Sequence, residues 1–109
     1  MIRFLILYPP PPDIEAFEQH YRDVHIPLAM KLAELRSYNV ARNPRSVRGE
    51  EPCYLVAELE WDDMASLQKD FASAEGRATS QDMEALEVLC PGIRSMIYEP
   101  SSVEARTPS

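Results

Sequence analysis

Ile2, Phe4, Ile6 and Tyr8 fall on one side of an extended segment, and Leu5 and Leu7 on the other, so residues 1–8 predict a strand. Pro9-Pro10-Pro11-Pro12 ends it, because proline neither donates to a sheet ladder nor enters a helix interior. Asp13 suits an N-cap, and Glu15 sits in a first turn where the helix dipole favours an anion. From there Ile14, Phe17, Tyr21, Val24 and Leu28 recur at spacings of three and four. At ~100° per residue they share an arc of about 80°, the pattern of an amphipathic helix. Pro27 removes a helical hydrogen bond and clashes with the carbonyl of Asp23, so a break or kink is expected near His25. Leu28 to Leu32 would add a further turn beyond it.

Residues 36–42 read as a second strand with Tyr38 and Val40 on one face, and residues 43–52, with Pro44, Gly49 and Pro52, as a loop. Cys53 to Trp61 alternates Cys53, Leu55, Ala57, Leu59 and Trp61 against Tyr54, Val56, Glu58 and Glu60, the pattern of a third strand. Asp62 or Asp63 caps a helix striped by Met64, Leu67, Phe71 and Ala74, with Gly76 as its stop. Thr79 and Asp82 have capping-box spacing for a third, short helix carrying Met83, Leu86 and Leu89, which Cys90-Pro91-Gly92 ends. Ile93 to Glu99 is a fourth strand, and residues 101–109 are a small, polar, flexible tail. The order β-α-β-β-α-(α)-β predicts an α+β fold, ferredoxin-like, with a four-stranded antiparallel sheet in a single domain over residues 1–100.

The strands carry bulky residues on both faces. Leu5 and Leu7 oppose the side of Phe4 and Ile6, while Tyr54, Val56, Met96 and Tyr98 oppose the side of Leu55, Leu59, Ile93 and Ile97. Helices cover one face of such a sheet. The other needs a second cover, and the same face of another copy supplies it by two-fold symmetry, so a homodimer is expected.

At 109 residues the chain is one ordinary domain, and 45% apolar with 27% charged residues is globular composition. The longest apolar run, Phe4 to Tyr8, falls far short of the ~20 residues of a membrane span. No secretory signal is readable and Cys53 and Cys90 form no CxxC pair, so a cytoplasmic protein with reduced cysteines is expected. The net charge is −7; residues 51–109 carry twelve acids against four bases, while residues 1–50 are nearly neutral. Such a surface repels phosphate backbones, which argues against nucleic acid and anionic membrane as partners.

Candidate chemistry centres on the two histidines. His20 lies off the apolar stripe and reads as a solvated surface residue. His25 falls within the inward arc, where it either satisfies a carbonyl freed at the Pro27 break or serves as a pocket acid/base, since imidazole titrates near neutrality. Tyr21, one turn earlier on the same face, could pair with it or simply pack. Tyr8, Phe17, Tyr38, Trp61 and Phe71 could wall a substrate pocket between sheet and helices, or form plain core. Arg42, Arg45 and Arg48 in the loop read as solvated, with an anion clamp as the functional alternative; Glu58 and Glu60 read as edge charges or partners of Arg94. Neither a phosphate-binding glycine loop nor a nucleophile motif is present. Metal ligands do not cluster either, so no cofactor and no metal are expected, a haem held by a single histidine being the one route left open.

Phe17-x₃-Tyr21-x₃-His25-Ile26-Pro27-Leu28, followed by Lys31-Leu32 and Leu35-x₂-Tyr38, resembles the EthD family, and the likeness extends to the strand ending in Trp61 and the closing Tyr98-Glu99 strand. It departs from the usual Leu-Pro-Gly-Leu where this chain has Leu32-Ala33-Glu34-Leu35, at the turn into the second strand. The resemblance implies a dimeric α+β barrel of two facing sheets and a link to oxidative breakdown of small apolar molecules such as ethers. Relatives in that superfamily include cofactor-free monooxygenases, lactone isomerases, polyketide cyclases and haem enzymes, and fold does not choose among them. Two readings follow. One is an enzyme of the oxidoreductase or monooxygenase-associated type, or a cofactor-free lyase or isomerase, with His25 as acid/base and Tyr21 orienting it. The other is a non-catalytic dimer that binds a hydrophobic metabolite.

Overall fold

A computed structural model describes residues 1–50 and 53–103. The expected order is present: β1 (Ile2–Tyr8), β2 (Ser37–Arg42), β3 (Leu55–Trp61) and β4 (Arg94–Tyr98), joined by α1 (Ile14–His20), α2 (Ile26–Ala29), α3 (Met64–Ala72) and α4 (Ala74–Leu89). The strands form one four-stranded sheet in the order β2-β3-β1-β4, antiparallel throughout, the ferredoxin-like arrangement. Cys53 and Tyr54 lie just before β3 rather than in it. Residues 51–52 of the loop and 104–109 of the tail lie outside the described residues.

Register sorts the side chains by face. Phe4 opposite Leu59, Ile6 opposite Ala57 and Tyr8 opposite Leu55 put the bulk of the core on the helix-covered side. The outer side carries Leu5 beside Met96 and Leu7 beside Val56, with Arg3 directly opposite Glu60. That register corrects one expectation. Arg3 Nε lies 3.1 Å from Glu60 and its guanidinium 3.5 Å from Glu58, so Arg3, not Arg94, takes both glutamates. Tyr54 also departs from the outer face: ahead of the strand, its ring meets Phe17 edge-on and its hydroxyl donates to Glu18.

The first helical segment answers the proline differently from a simple break. Between α1 and α2 the backbone widens into a π-turn over Tyr21–His25, and the Ile26 N–H reaches back to the Tyr21 carbonyl. The wider turn absorbs the hydrogen bond that Pro27 cannot make, so the axis continues through it. It also changes which residues face inward. A π-turn rotates less per residue, so the buried positions run at steps of four, Phe17, Tyr21, His25 and Ala29, whereas Val24 is 39% exposed and Ile14 half-exposed.

The second helical region is redrawn as well. Asp63 caps α3, its Oδ1 accepting the Ser66 N–H at 2.8 Å. The stop falls at Ser73, not Gly76: Ser73 leaves helical geometry and its hydroxyl caps α4 by accepting the Gly76 N–H at 3.0 Å. Gly76 is there for space. A β-carbon at this position would lie 1.9 Å from the Asp70 carbonyl oxygen, so the two helices turn this closely only over a glycine. The short third helix expected from Thr79 is therefore the middle of α4, where the Thr79 hydroxyl donates to the Glu75 carbonyl instead of capping.

Asp70, only 2% exposed, ties this corner together. Its carboxylate accepts the Trp61 indole N–H at 2.7 Å from the end of β3 and the Glu34 backbone N–H at 3.1 Å from the turn into β2. The Leu32-Ala33-Glu34-Leu35 turn is thus held from α3. Replacing Gly76 by alanine should destabilise the fold by ~1–3 kcal/mol, because the added methyl meets rigid backbone. Thermal unfolding should show this as a Tm lowered by several degrees, at ~4–8 °C per kcal/mol for a domain of this size; an unchanged Tm would contradict the close helix crossing.

Candidate functional site

Between the covered sheet face and the helices lies a cavity of about 150 Å³. Its sheet side is Phe4, Ile6, Tyr38, Leu59 and Trp61, and Phe71 stands over Phe4 and Trp61 with ring centroids at 5.6 and 5.8 Å. The helices contribute His25 and Ala29 from one side and Gly76, Thr79, Ser80 and Met83 from α4. No Lys, Arg, Asp or Glu lines it. The wall is mostly apolar, with four aromatic rings, and is broken by one imidazole and three hydroxyls.

The π-turn delivers the imidazole. Phe17, Tyr21 and His25, spaced by four, stack in a column, with centroids 5.5 Å and 13° apart for the first pair and 5.6 Å and 18° for the second. At the end of that column His25 Nδ1 lies 2.9 Å from Asp82 Oδ2. A carboxylate only accepts, so Nδ1 carries the hydrogen and Nε2 keeps its lone pair. Nε2 has no hydrogen-bond partner among the described residues, and His25 is one of the side chains that line the cavity. The other oxygen of Asp82 lies 2.8 Å from His20 Nε2. One carboxylate therefore holds both histidines.

A second polar group comes from β2. The Tyr21 and Tyr38 hydroxyls lie 2.6 Å apart. Tyr21 is sealed from solvent and shares this hydrogen bond with Tyr38, in which either hydroxyl can donate; where Tyr21 donates, the Tyr38 proton is free for another acceptor. Burial pushes Tyr38 up to about 12 and raises Tyr21 and Tyr8 further, so all three phenols stay protonated at neutral pH. Burial likewise pulls His25 below its ordinary value of 6.5, against the smaller raising effect of the Asp82 hydrogen bond. A neutral imidazole with a free lone pair, backed by a carboxylate, is equipped to take a proton.

Of the residues singled out in the sequence, His25, Tyr38, Trp61 and Phe71 line the cavity. Tyr8, Phe17 and Tyr21 do not: all three are fully buried and pack against one another behind it, Tyr8 at 5.5 Å from each of the other two rings. Trp61 offers only its ring, since Asp70 holds its N–H. His20 is not the solvated residue expected; its side chain is 25% exposed and paired. Arg42 is no clamp, because Glu18 takes it through both oxygens at 2.7 and 2.8 Å. Sequence reasoning missed Asp82, Phe4 and Met83 as members of the site. For Asp82 and Met83 the signal lay in α4: Thr79, Asp82, Met83 and Leu86 share one face of a continuous helix, and splitting it at Gly76 turned Asp82 into a cap. Among the described residues no three His, Cys, Asp or Glu side chains converge as a metal set; Asp82 keeps its two imidazoles apart, one on each oxygen.

A depressed histidine pKa means that the unfolded chain binds more protons as pH falls. Stability from His25 is therefore fully present above the unfolded value near 6.5 and is lost as pH drops from there toward the folded value. NMR titration of the imidazole protons should place His25 below 6.5. A value at or above that figure would show that Asp82, not burial, controls the ring.

The chain matches the EthD domain model over residues 9–86. It is 32% identical over 84 residues, 76% of this chain and 81% of the relative, to an uncharacterised 11.0 kDa protein encoded between thcB and thcC in Rhodococcus erythropolis. Among solved structures, an ethyl tert-butyl ether D (EthD) family protein of Bacillus halodurans is 35% identical with a TM-score of 0.80, covering 93% of this chain and 99% of that one. A cofactor-independent oxygenase of Streptomyces nogalater shares the fold at 12% identity and a TM-score of 0.63, covering 96% and 97%. The match to the family model across most of the chain, with the solved relative that fits nearly its full length, makes this protein a member of the EthD family.

Proposed function

We propose that the protein is an enzyme that takes a proton from a small, neutral, largely apolar molecule held in the cavity, with His25 as the base. The observation that carries this is a buried histidine that lines an apolar cavity with its Nε2 unpartnered, while Asp82 holds its Nδ1–H. In the step proposed, a substrate O–H or activated C–H bond breaks, its proton moves to Nε2, and its electron pair stays on the substrate as an enolate or phenolate. Asp82 stabilises the imidazolium so formed, and in this reading the Tyr38 hydroxyl, which lines the same cavity, donates to the new oxyanion. Volume and charge support the substrate class. About 150 Å³ suits one benzene-sized ring, and a wall without a cation, with Asp82 behind the imidazole, disfavours a carboxylate. Proton removal of this kind serves a cofactor-free lyase or isomerase, and it also serves an oxidoreductase whose substrate anion meets oxygen.

Purified protein incubated with metabolite extracts and followed by untargeted mass spectrometry tests this. A neutral compound should be consumed by wild type and spared by His25→Ala, and Asp82→Asn should slow its loss by ~10²-fold or more. Equal consumption by wild type and His25→Ala would end the acid/base reading. A compound retained unchanged by both would instead identify a binding protein for a hydrophobic metabolite.

We also propose that a second copy of the chain covers the outer sheet face. Leu5, Leu7 and Val56 form an apolar strip there beside Met96, which is 48% exposed, and Arg3 with Glu58 and Glu60 flanks it. Light scattering should give twice 12.4 kDa at micromolar concentration. Val56→Asp, which places a charge in the strip, should give monomers or aggregates; a dimeric Val56→Asp protein would move the interface elsewhere.

A further inference from the structure

The Asp82 carboxylate has two oxygens and two imidazoles, and only one imidazole reaches the cavity. We infer that His20 is a positioning residue for the His25 base: its Nε2–H holds one oxygen of Asp82 so that the other stays fixed on His25 Nδ1–H and the Nε2 lone pair stays aimed at the cavity. This rests on the reading of His25 as a base and adds a residue to it.

The carboxylate of an aspartate turns easily about its last bond, since that torsion has broad minima rather than three sharp ones. A single partner would leave it free to swing and to offer His25 either oxygen or neither. Two donors on opposite oxygens, at 2.8 and 2.9 Å, remove that freedom. They come from separate elements, His20 from the end of α1 and His25 from the end of the π-turn, so the carboxylate is gripped against one continuous helical axis while its own backbone belongs to α4. Its side chain is 10% exposed, which leaves little room for water to replace a lost donor.

Tautomer follows from the same geometry. Because Asp82 only accepts, His20 must carry its hydrogen on Nε2 and His25 on Nδ1. Asp23 borders the same surface depression as His20 but makes no hydrogen bond to it among the described residues; Asp82 is the carboxylate His20 engages. His20 does not line the cavity, so its effect on chemistry passes through Asp82.

Nitrogen-15 NMR of labelled protein, recorded at a pH above which the ring shifts no longer change, reads the ring hydrogens directly. Wild type should show His20 protonated on Nε2 and His25 on Nδ1, the latter favoured by roughly tenfold or more, as a charge-assisted hydrogen bond warrants. His20→Gln places an amide N–H at a similar reach and should keep the His25 ratio. His20→Leu removes the donor and should bring the two His25 tautomers to within about threefold of one another. An unchanged ratio in His20→Leu would refute the inference, as would a His20→Gln protein as disordered at His25 as His20→Leu. Should His20→Leu fail to fold, the wild-type spectrum still decides, because His20 protonated on Nδ1 is incompatible with the proposed grip. The readout needs no turnover. A shifted tautomer in His20→Leu alongside undiminished consumption by His25→Ala would uphold the positioning and discard the base.

Discussion

Pro27 has no N–H to give the helix, and the way the chain accommodates that loss decides which side chains meet the sheet. A straight α-helix with a missing hydrogen bond would have placed Val24 on the inward arc. The π-turn instead carries the backbone one residue further per turn, so the inward series becomes Phe17, Tyr21, His25 and Ala29. That rotation keeps His25 directly one turn behind Tyr21, as its stacking on Tyr21 and its Nδ1–Asp82 contact require. A proline in a helix is commonly a cost to be tolerated; here the irregularity it forces turns Val24 outward and leaves the imidazole as the inward residue of that turn.

The opposite wall of the cavity depends on a second close approach. Gly76 lets the start of α4 sit against the Asp70 carbonyl, and Ser73 closes the bend from both sides, donating to that carbonyl at 2.5 Å while capping α4. The Asp70 side chain then fixes the Trp61 ring at the end of β3. Because α4 begins from this corner, the placement of Asp82 two turns along it is set by the same contacts. His25 is thus positioned from the proline side and its carboxylate from the glycine side, and the cavity lies between them.

The strands were legible because a period of two survives any local irregularity, and Ile2 to Tyr8 or Leu55 to Trp61 cannot slip by one residue without exchanging core for outer face. The Tyr-x₃-His-x-Pro segment was legible as an inward tyrosine and histidine near a break. What the break would become was not, since choosing a π-turn over a kink depends on what lies beneath the helix. Gly76 misled because a glycine in a helical pattern reads as a terminus, while its actual role, a backbone contact six residues back in sequence, is a tertiary fact. That one boundary concealed Asp82 among the caps and left His20 looking solvated. Likewise Tyr8 and Phe17 carry the same aromatic signal as Trp61 and Phe71, and only packing separates the pair behind the wall from the pair that forms it.

The dyad is governed by two opposed effects on one ring. Removing the imidazolium from water lowers the His25 pKa, and the carboxylate at 2.9 Å raises it; the first is the larger. In the proton transfer proposed above, the balance changes, because the proton taken up by the ring leaves an anion on the substrate beside it. An imidazolium between Asp82 and a substrate oxyanion then has a counter-charge on each side, in a wall with no cation to compete for either. The same burial that keeps the resting ring neutral makes the ion pair formed by proton transfer stronger than it would be in water. A site of this kind is idle toward groups that arrive already ionised, because the ring has no charge to offer them, and it becomes strongly stabilising only once the proton has moved.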